Sequence, residues 1–158
     1  MIRKIARDRH EQRVLDDINK YGWHCVNILA EGNHTEYSFT VGLFHTYQHP
    51  ELIIFGLAHD IAHEILTIAA NAIKRKEPID LAVPTDALLE GYSCCFIDVP
   101  ISKYYEHVGF CHWFYQSDNF PLYQIVWPTR SGLFPWHPEV TADFRIAQPI
   151  IGHLPNPM

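Results

Sequence analysis

"SFTVGLFHTYQHPELIIFGLAHDIAHE" (residues 38–64) runs three patterns together in 27 positions. Phe39 and Val41 alternate with Ser38 and Thr40, with Tyr37 ahead of them, so 36–43 reads as a strand with one apolar face. "ELIIFGL" (51–57) is almost unbroken apolar sequence, the pattern of a buried strand. From about Asp60 to Arg75 the period changes. Ile61, Ile65, Ile68, Ala69 and Ala72 fall at helical spacing, and Ala62, Leu66 and Ile73 widen the stripe. Asp60 and Glu64 near the start of that helix and Lys74-Arg75-Lys76 at its end suit its dipole. Strand, loop, strand and helix in this order set the class as α+β.

The flanks extend the pattern. Residues 5–20 read as a surface helix with a narrow stripe (Val14, Leu15, Ile18), closed at Tyr21-Gly22. "WHCVNILA" (23–30) alternates as a strand and, across the turn residues "EGNHT", predicts an antiparallel hairpin with 36–43. "FHTYQHP" is expected to be a loop ended by Pro50. "IDLAV" (79–83), "YSCCFIDV" (92–99) and "LYQIVW" (122–127) read as further strands. Pro100 opens an expected helix over 101–116, with Gly109 its weak spot. Seven of the eleven prolines follow residue 120, so the C-terminal part reads as extended coil laid on the body. The count is six mostly antiparallel strands and three helices, a sheet expected to curl towards a split-barrel-like core.

Composition narrows the class. At 158 residues the chain is expected to be a single domain over 1–158: an N-terminal helix to residue 20, a core over 21–152, and a tail over 153–158. Hydrophobic residues make up 47% and charged residues 19%, a globular balance. The net charge of −6 argues against reading a nucleic-acid backbone, which needs a basic face. The charged start "MIRKIARDRHEQR" has no apolar core of a secretory signal, and no apolar run has the length of a membrane span. The chain therefore reads as cytoplasmic. Cys25, Cys94, Cys95 and Cys111 have no zinc-site spacing and read as reduced thiols.

"YGWHCVNI", "YSFTVGLFHTYQHPELIIFGL", "LYQIVWPTRSGLFPWHPE" and "QPIIG" together resemble an uncharacterised bacterial family, domain of unknown function 4262, over about residues 20–152. That resemblance implies a grouping without an activity. A looser likeness links the strand ending in small hydroxyl residues, its loop, and "HPELIIFGL" to flavin-reductase-like split barrels. It implies that FMN phosphate would be held by Ser38, Thr40, Gly42 and Thr46, and that the protein would be a homodimer. Such barrels also bring a basic residue to the flavin, and this segment offers only His45 and His49.

The histidines admit more than one role. His59 and His63 stand four apart at a helix start and could chelate a metal, or simply be polar residues of an exposed first turn. His45 and His49 lie in the loop beside Glu51, which could orient either imidazole for proton transfer; a turn at His49-Pro50 and a backbone cap by His45 explain them equally. No G-x-S-x-G, P-loop or G-x-G-x-x-G is present. Thr40, Gly42, His45, Thr46, His49 and Glu51 bring the polar groups a small polar or anionic ligand needs into one stretch. Trp127 and Trp136 flank "PTRSGLFP" and could wall such a pocket, with Arg130 as an anion clamp. The leading expectation is thus a ligand pocket at 40–51, flavin or nucleotide related. The alternatives are a non-catalytic interaction module of inhibitor or immunity type, and a metal-dependent enzyme built on histidine.

Overall fold

The computed structural model describes residues 1–155; the last residues of the expected 153–158 tail lie outside it. Helix α1 (Arg9–Tyr21) starts where the Asp8 carboxylate accepts the Glu11 N–H at 2.8 Å, and stops at Gly22. Gly22 takes φ 93°, a left-handed conformation, and returns its N–H to the Ile18 carbonyl. Strands β1 (His24–Ile28) and β2 (Tyr37–Val41) form the expected antiparallel hairpin, with His24 opposite Val41. Helix α2 (Leu43–Tyr47), strand β3 (Glu51–Phe55) and helix α3 (His59–Lys74) follow.

The second half supplies β4 (Thr85–Leu89), β5 (Tyr92–Asp98), the short helices α4 (Tyr104–His107) and α5 (Gly109–Tyr115), β6 (Leu122–Val126), and α6 (Ala142–Ala147). All six strands make one sheet in the order β1-β2-β3-β6-β5-β4. Every neighbouring pair is antiparallel except β3 with β6. The sheet stays open, with β1 and β4 as its edges, so the expected curl does not close into a barrel.

Both faces of the sheet are covered, which explains the unbroken apolar run of β3. Ile53 and Phe55 join Phe39, Val41 and the α1 stripe on one face, together with Val108, Cys111 and Phe114. Leu52 and Ile54 join Ile65, Leu66, Ala69 and Ile73 of α3 on the other. A central strand between two helical layers cannot show the alternation of a half-exposed one.

Several elements differ from the sequence reading. Residues 79–83 are not a strand: the Asp80 carboxylate accepts the Ala82 N–H at 2.9 Å and folds them into a turn. The edge strand begins after Pro84 and pairs Leu89 with Tyr92 across the tight Glu90-Gly91 turn. The expected 101–116 helix is divided into a 3₁₀ turn and two short helices, interrupted at Val108 (φ −123°, ψ 50°) beside Gly109. The proline-rich tail does lie on the body, but it also forms α6, whose Thr141 hydroxyl accepts the Phe144 N–H. Two buried glutamines hold it. The Gln148 amide exchanges hydrogen bonds with the Trp127 backbone at 2.7 and 2.9 Å. Gln124 donates to the Pro149 carbonyl and accepts from the N–H groups of Ile151 and Gly152.

Candidate functional site

The expected loop at 44–50 is largely taken up by α2 because Glu51, four residues beyond its end, caps it. Glu51 is wholly buried. Its carboxylate accepts the Thr40 hydroxyl at 2.7 Å, the N–H groups of Gly42, Leu43 and Phe44 at 3.0, 3.1 and 3.3 Å, and the Tyr115 hydroxyl. The two hydroxyls are committed by their other bonds. Thr40 Oγ1 accepts the Leu52 N–H and Tyr115 Oη accepts the His45 N–H, which leaves each hydroxyl proton for Glu51. Burial pushes the Glu51 carboxyl up from its ordinary value, and Tyr115, Thr40 and the N–H groups of Gly42 and Phe44 pull it back down. Burial, followed by the charge of Glu51, raises the Tyr115 hydroxyl.

Consecutive backbone N–H groups of this kind form an anion nest. The chemistry expected of the 40–51 stretch is therefore present, but its anion is the protein's own carboxylate. Ser38 donates to Asn27 Oδ1 and Thr46 to the Gly22 carbonyl, so the hydroxyls that the flavin likeness assigns to a phosphate are all bonded within the chain. Gly42 is required by φ 111° and by its neighbours, since a Cβ there would lie 3.0 Å from both the Gly22 carbonyl oxygen and Ile18 Cγ1. Its lack of a side chain lets it pack against the end of α1.

The other expected site residues are dispersed. His45 is exposed and sets its ring edge-on to Phe114. His49 hydrogen-bonds the Pro50 carbonyl through Nδ1 at 2.8 Å, and burial lowers its pKa. Trp127 follows the far end of β6: Glu51 pairs with Leu122, five residues earlier, a distance of about 16 Å along a strand. Its indole donates to the Phe55 carbonyl and packs on Phe144. Trp136 stacks on Phe134 elsewhere, and Arg130 is exposed. The structure does not assemble these three with Glu51. His59 Nε2 faces the Ile28 carbonyl (3.3 Å) and Glu36 (3.8 Å), whereas His63 stacks on Trp23. Among the described residues no three His, Cys, Asp or Glu side chains are grouped to hold a metal ion.

A different concavity lies where the edge strand β1 meets α1 and α3. A cavity of about 280 Å³ is lined by Asp17 and Tyr21 of α1, Trp23, His24 and Cys25, Tyr47 of α2, and a stripe of α3. The stripe (His63, Thr67, Ala70, Asn71, Lys74) is the set that helical spacing places on one side. Asp17, His24, Cys25 and His63 also border a second cavity, with Arg13 and Phe110. His24 Nδ1 lies 2.7 Å from the Asp17 carboxylate. Because the carboxylate only accepts, Nδ1 carries the proton and Nε2 of the neutral ring keeps its lone pair. Burial lowers the His24 pKa and Asp17 raises it part of the way back. Burial pushes the Cys25 thiol up to about 12, which keeps it protonated at neutral pH.

The sequence reading passed over this cleft because its residues come from four elements. The signal that was available is "WHC" at 23–25: a strand at the sheet edge turns His24 towards α1 and Trp23 with Cys25 towards α3.

The family model described as Domain of unknown function (DUF4262) matches residues 17–141, and the chain belongs to that family. No curated protein and no solved structure gives a match. Every lining residue of the 280 Å³ cleft falls within the matched span. Among the described residues no helix is long and apolar enough to cross a membrane.

Proposed function

We propose that this member of the DUF4262 family binds a small planar ligand bearing an acidic or anionic group in the cleft between α1, β1 and α3. The observation that carries the reading is the cleft's make-up. Aromatic walls (Tyr21, Trp23, Tyr47) enclose a few polar groups (His24, His63, Asn71, Lys74), the combination that small-molecule sites use. Lys74 supplies a cation and the aromatic faces supply stacking area. At about 280 Å³ the cleft stands at the small end of ligand sites, which suits a single ring system rather than a dinucleotide. The Glu51 nest has a supporting part: it fixes α2, which carries Tyr47 into the cleft wall.

The test is a thermal-shift and tryptophan-fluorescence screen with small aromatic acids and phenols. A micromolar ligand corresponds to about 8 kcal/mol of binding free energy. Its fluorescence response should vanish in Trp23→Phe, and its affinity should fall in Lys74→Ala. A screen in which no compound raises the melting temperature, or in which Trp23→Phe responds as the wild type does, refutes the reading.

A second reading is supported by one feature. A groove of about 810 Å³ beside edge strand β4 is lined mainly by apolar side chains, among them Leu81, Val83, Phe96, Phe134 and Trp136. Val83 is half exposed there, and an apolar surface next to an unpaired strand edge suits a protein partner or a second copy of the chain. Concentration-dependent sedimentation that is abolished by Val83→Asp would support it.

A further inference from the structure

We propose that Asp17 and His24 form a proton-transfer pair in the cleft, with His24 as general base towards a hydroxyl of the bound planar ligand. This rests on the ligand-binding reading of the cleft. The Asp17 carboxylate fixes the ring through Nδ1 at 2.7 Å, and among the described residues no protein group hydrogen-bonds Nε2. The side chain is only 11% exposed and lines both cavities, where a ligand would meet the ring. A comparison within the chain sharpens the point. His112 makes the same 2.7 Å contact to Asp118, but it is 58% exposed and open to solvent. Of the two pairs, that of His24 borders the aromatic cleft.

The groups around His24 set its basicity. From α1 these are Asp17, which favours the protonated ring, and His10 and Arg13, which oppose it. Cys25 adjoins it on β1 as a neutral thiol, and His63 and Lys74 face the same space from α3. In the step itself the ligand O–H bond breaks and an Nε2–H bond forms. The ligand is left as an oxyanion beside Lys74 and the ring as an imidazolium beside Asp17, with no change of oxidation state. Asp17 acts through His24 and is a positioning residue.

The test uses 4-nitrophenol, which is coloured only as its phenolate, at a pH one unit below its own midpoint, with tryptophan fluorescence reporting binding. The bound phenol should rise from about one tenth ionised to more than one half, a gain of about tenfold in acidity. His24→Gln should still bind the probe and lose the gain. Asp17→Asn, which keeps a hydrogen-bond acceptor for Nδ1, should bind it and show a smaller gain. If His24→Gln does not fold, the imidazole nitrogen shifts of the wild type decide: Nε2 is unprotonated in the free protein and protonated with nitrophenol bound. Binding without a gain in colour, a gain that persists in His24→Gln, or an Nε2 that does not change overturns the pair while leaving the ligand site standing. No fluorescence response at any nitrophenol concentration overturns the pair for this ligand class, and the broader screen then judges the site.

Discussion

Replacing Glu51 by Gln keeps the shape of the side chain and removes one acceptor oxygen. In the wild type one carboxylate oxygen takes Thr40 and Leu43, and the other takes Gly42, Phe44 and Tyr115. The amide can keep only one of these sets, so two or three buried donors lose their acceptor and face an NH₂ group. At about 1–3 kcal/mol for each orphaned donor, the loss comes to about 3–5 kcal/mol, the range found when one partner is removed from a buried charged network. For a chain of this length about 1 kcal/mol moves the melting temperature by 2–4 °C, so a fall of roughly 10 °C is expected. Differential scanning calorimetry measures it directly. Tyr115→Phe removes one donor to Glu51 and the acceptor of the His45 N–H and should cost about 2 kcal/mol. A Glu51→Gln protein melting within about 2 °C of the wild type would refute the carboxylate as the anchor of α2.

Three further outcomes follow from other contacts. Gly42→Ala should cost about 2–3 kcal/mol in urea unfolding, because φ 111° strains an alanine and its Cβ would crowd Gly22 and Ile18. Gln148→Ala orphans both backbone groups of Trp127 and should cost about 2 kcal/mol, with faster proteolysis near α6. Burial lowers both His24 and His49, so the unfolded chain binds protons more readily; the stability these rings contribute is complete above about pH 6.5 and is lost as pH falls through their lower folded values. Urea titrations from neutral pH down to about pH 5.5 should therefore show a smaller decline for the His24→Gln, His49→Gln double variant than for the wild type.

What was legible in the sequence is what short-range periodicity controls. The β1–β2 hairpin, β3, α3, β5 and β6 were expected within a few residues of their observed ends, because each carries its own pattern of burial. Helix α2 escaped notice for a long-range reason: its N-terminal N–H groups are capped by Glu51, which follows it in sequence, so no capping residue precedes it. Asp80 hid the turn at 79–83 in a similar way, since "IDLAV" has a strand's alternation and only the Asp80 to Ala82 bond contradicts it. The polar stretch at 40–51 was expected to hold a small polar or anionic ligand. Nothing in its composition said that Glu51, a member of the same stretch, would be the anion.

This self-occupied nest bears on where a ligand can act. A fully buried carboxylate with five donors has no vacancy for an external group, and displacing it would expose a charge to the core at a cost comparable to the domain's whole stability of about 5–15 kcal/mol. The donors of Thr40, Gly42, Leu43, Phe44 and Tyr115 are thus taken up by Glu51, and groups with free hydrogen-bonding capacity lie around them. His24 is the sharpest case. Its ring is fixed by Asp17 from the last turns of α1, and α1 is itself held in place by Gly22 packed against Gly42. Perturbing the nest should accordingly loosen the contact between His24 and Asp17 without touching either residue. In Tyr115→Phe, which is expected to fold, the Trp23 response to nitrophenol should weaken by about two- to fivefold while the melting temperature falls only modestly, since a coupling of 0.5–1 kcal/mol is typical of neighbouring sites in one packed network. An affinity equal to wild type in a variant that is measurably less stable would show that the nest and the cleft are independent.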